Sequence, residues 1–163
     1  MIEQVLRELN RYFPRTVETL KEVAIDGLIG DFKERYAVGQ YVLVKGTIMS
    51  DGVYTITAVS PTKLTVNATL TAEVVGDREY SAVFGLAIPA EVLRLATEIE
   101  AADNGTGGGL SSETLGKYSV SYAGDGSWQS KYRSALNRWR LPYSDLNSFV
   151  KSFNWQNRDV GWW

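Results

Sequence analysis

Histidine and cysteine are both missing from the 163 residues. Without cysteine there are no disulfides, no thiolate metal site and no cysteine nucleophile. That excludes a disulfide-stapled secreted scaffold and is neutral on redox compartment. Without histidine the chain lacks the commonest general base and the commonest zinc ligand. Long apolar runs are absent too. Nothing approaches membrane-spanning length, and the first residues do not read as a signal peptide. The expectation is a chain made in the cytoplasm.

The remaining acid, lysine, tyrosine and serine residues show no catalytic spacing. Glu98 and Glu100 fall on different faces of their segment, and Asp77, Glu91 and Asp103 are scattered. The glycines at 105–109 are followed by no Gly-Lys-Ser/Thr, so they are not a phosphate loop. They follow a helical pattern rather than a strand, so they are not a dinucleotide fingerprint. Asp51-Gly52 reads as a hairpin turn, not a calcium loop. The sequence therefore predicts no enzyme, no cofactor and no metal.

What is present is enough apolar content for a core, 44%, and a 12% share of aromatics, with all five tryptophans at or beyond position 128. Charge is unevenly divided. Residues 128–163 carry six bases against two acids, and the preceding 127 residues carry the other eleven bases and seventeen acids. Such asymmetry suits nucleic-acid binding or subunit-to-subunit complementarity.

Along the chain, Ile2, Val5, Leu6, Leu9 and Phe13 share one face and predict a helix over 2–13, ended by Pro14. Residues 16–37 allow either a helix or an alternating strand. The turn pair Asp26-Gly27 favours a hairpin. From 38 to 88, β-branched and aromatic runs at 41–44, 53–59, 64–67 and 80–88 are separated by Gly, Pro and Asp turns. They predict a small antiparallel sheet or barrel. Pro89 opens a second helix, 89–103, with Leu95 and Ile99 in its apolar stripe and an acidic outer face. Residues 104–112 (NGTGGGLSS) read as a linker within an extended arm, 104–126. Trp128, Tyr132, Ala135, Leu136 and Trp139 form the stripe of a basic helix over 128–140, with Lys131, Arg133, Arg138 and Arg140 on its other faces. The stripe (Trp128, Tyr132, Leu136, Trp139) with Leu95 and Ile99 is expected to be core. A short helix is allowed over 143–154, before a tail ending in Gly161-Trp162-Trp163.

The segment SSETLGKYSVSYAG followed by a helix containing ALNRWR resembles the head–tail connector (adaptor, or head-completion) proteins of tailed bacteriophages. The matching positions are Ser112, Glu113, Gly116, Tyr118, Ser119, Val120, Tyr122, Leu136, Asn137, Trp139 and Arg140. GQYVLVKGTIMSDGVYTI (39–56) is similar to a strand–turn–strand insert in one branch of that family, and GLAIPAEVLRLATEIE (85–100) to the helix that follows it. The resemblance implies an α+β fold: a helical connector core from 1–37 and 89–141, a β insertion at 38–88, and an aromatic tail at 142–163. It implies a non-enzymatic virion subunit at the head–tail interface. That subunit would be a homo-oligomer, twelve-fold in most such rings, docked under the portal protein and passing DNA through its lumen to a tail or stopper protein.

A closed ring needs a heterologous interface. The acidic and basic helices offer one pair of faces, with Glu98, Arg133 and Arg138 as contacts. The arm offers another, with Leu115, Lys117, Tyr118, Val120 and Tyr122 reaching a neighbouring sheet. The tail aromatics Phe149, Phe153, Trp155, Trp162 and Trp163 are expected to anchor the portal partner. Two other readings stand beside this one. One is a nucleic-acid module using Tyr41, Tyr54 and Tyr80 for stacking. The other is a tail-terminator or baseplate component.

Overall fold

A computed structural model of the chain describes residues 1–32, 36–75, 81–105, 112–115, 118–121 and 128–152. Eleven residues of alternating burial form β1 (Pro14–Ala24), and a tight turn at Ile25-Asp26 returns the chain as β2 (Gly27–Gly30). The hairpin expected from Asp26-Gly27 is therefore present. β3 (Tyr41–Lys45), β4 (Gly52–Val59) and β5 (Lys63–Val66) follow as antiparallel neighbours. The two-residue β6 (Glu73–Val74) lies beside the far end of β1, and β7 (Ala82–Leu86) runs between β3 and β1.

The hydrogen-bonded order β1-β2-β5-β4-β3-β7 returns to β1. The sheet is thus a closed six-stranded antiparallel barrel, with β6 as an appendage. This corrects the expected architecture. The protein is mostly β with a few short helices, not a helical connector core with a β insertion. β1 and β2, assigned by sequence to that core, are staves of the barrel.

Two apolar clusters share the barrel wall. Inside lie Leu20, Val23, Leu28, Val42, Val44, Ile56, Leu64 and Val83, filling a barrel too small to hold an open channel. Outside, Val17, Leu43, Ala82, Phe84 and Leu86 point from the same strands onto a layer of helices. β7 and β3 are covered on both faces. That is why each reads as an apolar run rather than an alternation. At Gly85 a Cβ would sit 2.3 Å from Thr16 Oγ1, so the inner wall admits no side chain there.

The helical layer draws on both ends of the described chain. α1 (Ile2–Leu9) buries Val5, Leu6 and Leu9. It stops well before Pro14 because Asn10 turns left-handed, φ 52°. The Asn10 and Arg11 N–H groups then close back on the carbonyls of Arg7 and Leu6, the Schellman pattern. α2 (Ala90–Gly105) contributes Val92, Leu95, Ala96 and Ile99. Among the described residues, the strands β8 (Ser112–Leu115) and β9 (Tyr118–Ser121) pair only with each other. The expected basic helix is divided into α3 (Trp128–Lys131) and α4 (Arg133–Asn137), with Tyr132 between them. α5 (Asp145–Ser152) brings Leu146 to the cluster.

A polar joint fastens α5 to the start of β1. Phe13 has φ 55°, a conformation costly for a bulky side chain. The Asp145 carboxylate accepts the N–H groups of both Tyr12 and Phe13 at 2.8 Å. The Leu141 N–H donates to the Leu9 carbonyl, and the Asn10 side-chain amide donates to the Leu141 carbonyl. Arg140 reaches both the carboxylate and the carbonyl of Glu8.

Candidate functional site

Apolar side chains fill most of the barrel interior. Its one polar layer lies near the mouth. There Thr16 and Glu18 face inward, because their partners across the ladder are Gly85 and Val83, and Val83 belongs to the inner cluster. The Tyr36 hydroxyl stands 3.5 Å from the Val83 carbonyl, and Gln40 accepts the Ala37 N–H. Thr16 Oγ1 is buried without a hydrogen-bond partner, directly over Gly85. This layer is packed, not open. Among the described residues no three acidic groups converge as a metal site, and no helix is long and apolar enough to cross a membrane.

The perturbed titratable groups have structural causes. Burial raises Tyr12, opposed by Arg7 and reinforced by Glu3. Burial also raises Tyr54, with Glu3 and Asp51 adding to the effect. The Lys63 ammonium, hydrogen-bonded to Asp26 at the β1–β2 turn, lowers the Asp26 carboxyl against an opposing desolvation. Each of these shifts has its cause in burial or in a neighbouring charge.

The expected core residues fall in two grades. Leu95, Ile99 and Leu136 are buried. Trp128, Tyr132 and Trp139 are half-buried against the same outer cluster. Trp139 meets Phe13 edge-on at 6.0 Å, and Arg11 lies over the Phe13 ring at 4.7 Å. The acidic and basic helices do meet, but within one chain: Arg138 pairs with Glu91 at 3.5 Å. Glu98 is engaged by Arg94 one turn away. All four side chains of these two pairs are exposed, as is Arg133 on α4. In the arm, Leu115 pairs with Tyr118 across the β8–β9 hairpin, and Val120 lies opposite Glu113. β9 is thus already paired along one edge. Lys117, Tyr122, Phe153, Trp155, Trp162 and Trp163 lie outside the described residues. Phe149 is partly buried and packs on the outer cluster.

Of the three tyrosines proposed for nucleic-acid stacking, two are described, and both are partly buried. Tyr41 packs on the outer cluster. Tyr54 packs on the inner one and donates to the Ser50 carbonyl. Tyr80 lies outside the described residues.

The surface feature that sequence reasoning missed is an apolar end of the barrel. Ile25, Ile48, Met49 and Val74 are 62–76% exposed. The segment 70–75 gathers them. The Leu70 N–H donates to the Ile25 carbonyl, Ser50 to the Thr71 carbonyl, and the Ile48 N–H to the Glu73 carboxylate. Each of these residues sits at a turn tip or on the marginal β6, where periodicity has no purchase. The available signal was the unexplained Ile48-Met49 pair inside a turn. A second feature is an open groove of about 330 Å³ between α1 and α3, lined by Gln4, Arg7, Glu8, Trp128 and Gln129.

No family profile, characterised protein or solved structure matches this chain at a significant level.

Proposed function

We propose that the chain is a structural subunit of a phage head–tail connector ring, which docks beneath the portal and extends the DNA channel toward a tail or stopper protein. The observation that carries the reading is a filled barrel with four large apolar side chains turned outward at one end. Such a patch is the mark of a surface that meets protein, and the sealed interior leaves surfaces rather than a pocket to do the work. The motifs at 112–122 and 136–140 supply the resemblance that names the assembly. The filled interior means that any DNA channel lies between subunits and not through one.

One observation favours a second reading in the same class. The body of the subunit is a barrel rather than the helical core expected of an adaptor, which suits a tail-terminator or baseplate component equally well. Electron microscopy of the chain mixed with its portal decides between them. A ring seated on the portal is the expected result. A chain that ignores the portal but caps or joins tail tubes transfers the assignment to the second reading.

A further inference from the structure

Gln4, Arg7 and Glu8 stand three and four residues apart on α1 and so share one face. Trp128 and Gln129, the first two residues of α3, line the facing wall, and the groove between them has a volume of about 330 Å³. That is the lower end of the range for small-molecule sites, about 300–1,000 Å³. The charges of the groove are already balanced within the chain. The Arg7 guanidinium donates to Glu3 at 2.8 Å, and Glu8 is held by Arg140. Two acids against two bases draw in neither an anion nor a cation. The two amides are the opposite case. Neither the Gln4 nor the Gln129 side chain has a hydrogen-bond partner among the described residues, although Gln129 is half-buried. Each amide presents two N–H donors and a carbonyl acceptor. Trp128 rests part of its indole on the outer cluster and lends the rest to the groove.

A ligand that suits this wall is uncharged, carries adjacent donors and acceptors, and has a flat apolar face. A pyranose sugar has all three. Its hydroxyls match the amides, and the C–H groups of one ring face suit the electron-rich face of an indole. A nucleotide would bring a phosphate, for which the groove holds no uncommitted cation. A peptide strand would need a sheet edge, and helices line this groove. We propose that the groove between α1 and α3 binds a neutral mono- or disaccharide, with Trp128 as the stacking platform and Gln4 and Gln129 as the hydrogen-bonding groups. The proposal is independent of the connector reading, and either can fail alone.

The test titrates the full-length, isotope-labelled chain with glucose, maltose, cellobiose, lactose and diacetylchitobiose, and follows the tryptophan indole N–H signals by NMR. The Trp128 signal, identified by its absence from Trp128→Phe, is expected to shift and saturate with at least one of these sugars. Gln129→Ala is expected to weaken that binding about tenfold, and Gln4→Ala severalfold, both at an unchanged melting temperature. These two variants alter exposed or half-exposed side chains, so the test does not rest on a tryptophan variant alone. No saturable Trp128 shift with any of the sugars would overturn the proposal. So would a shift that both glutamine variants leave unchanged. Tighter binding of glucuronic acid or glucosamine than of glucose would show that charge selects the ligand, and would overturn it as well. A saturable shift with a short tyrosine-containing peptide and with none of the sugars would assign the groove to a protein partner instead.

Discussion

The two faces of β7 are packed by unlike means. On the inner face, Val83 meets other strands, all drawn from residues 14–86 and held by continuous backbone ladders. On the outer face, Ala82, Phe84 and Leu86 meet α1 from one end of the described chain and Leu136 and Leu146 from the other. The inner cluster is enclosed by a sheet that has no free edge. The outer one is a lid of short helices, each marginal alone, fixed by side-chain contacts and a few polar joints. The barrel specifies the fold, and the helical layer is where the ends of the described chain are committed to it.

Phe84→Ala attacks the wall between the layers and has the largest expected effect, about 3–5 kcal/mol lost in urea unfolding. Leu64→Ala, purely inner, is expected to cost about 2–5 kcal/mol. If both variants shift one transition without changing its slope, the layers form a single cooperative unit. Two separated transitions for Phe84→Ala would show that the lid unfolds first.

Asp145→Ala separates the layers more cleanly. Losing two charge-assisted bonds to strained backbone is expected to cost about 2–3 kcal/mol. Hydrogen exchange should accelerate at Tyr12 and Phe13 while Val44 and Val83 stay protected. Uniform acceleration would show that the clamp holds the barrel as well. Gly85→Ala tests the inner wall, where the added methyl meets Thr16, at a cost of about 1–3 kcal/mol. Adding Thr16→Ala, which removes the hydroxyl that the methyl meets, should recover part of the loss. Full stability in Gly85→Ala would show that Thr16 moves freely.

The smallest effect has a reporter in each layer. Burial raises Tyr12 in the outer layer and Tyr54 beside the inner one above the usual phenol value. The folded state thus favours the neutral phenol. The resulting stability is complete below about pH 10, the unfolded value, and is lost as pH climbs through the higher folded values. Alkaline melting curves should flatten in Tyr12→Phe and in Tyr54→Phe. A steeper fall in either variant contradicts the assignment.

Much of the barrel was legible from sequence. The strands at 41–45, 52–59, 63–66 and 82–86 follow β-branched runs between turn residues, and the first hairpin announces itself by Asp26-Gly27. Closure was not legible, for a physical reason. In β1 the inward residues are Thr16, Glu18, Leu20 and Val23, because an irregularity between Leu20 and Glu22 shifts the alternation by one. Val17 and Val23 look like one face by parity and lie on opposite faces. A strand whose stripe changes sides half-way resembles neither template. Its pairing with β7, more than sixty residues on, has no local signature. The division of the 128–140 helix at Tyr132 was hidden likewise, since its apolar spacing is satisfied on both sides of the break. At the candidate site, the stripe residues Leu136, Leu95 and Ile99 were readable as core. The exposed end was not, because its residues owe their proximity to the 70–75 segment alone.

The Asp145 clamp also sets a timetable. A ribosome delivers the last barrel residue, Leu86, 59 residues before the carboxylate that locks the turn into β1. At typical synthesis speeds of 5–20 residues per second that interval lasts about 3–12 s. During it the strands are complete, yet the outer flank of Phe84 awaits Leu136 and Leu146. The nascent chain thus shows a sticky, half-roofed barrel to its surroundings.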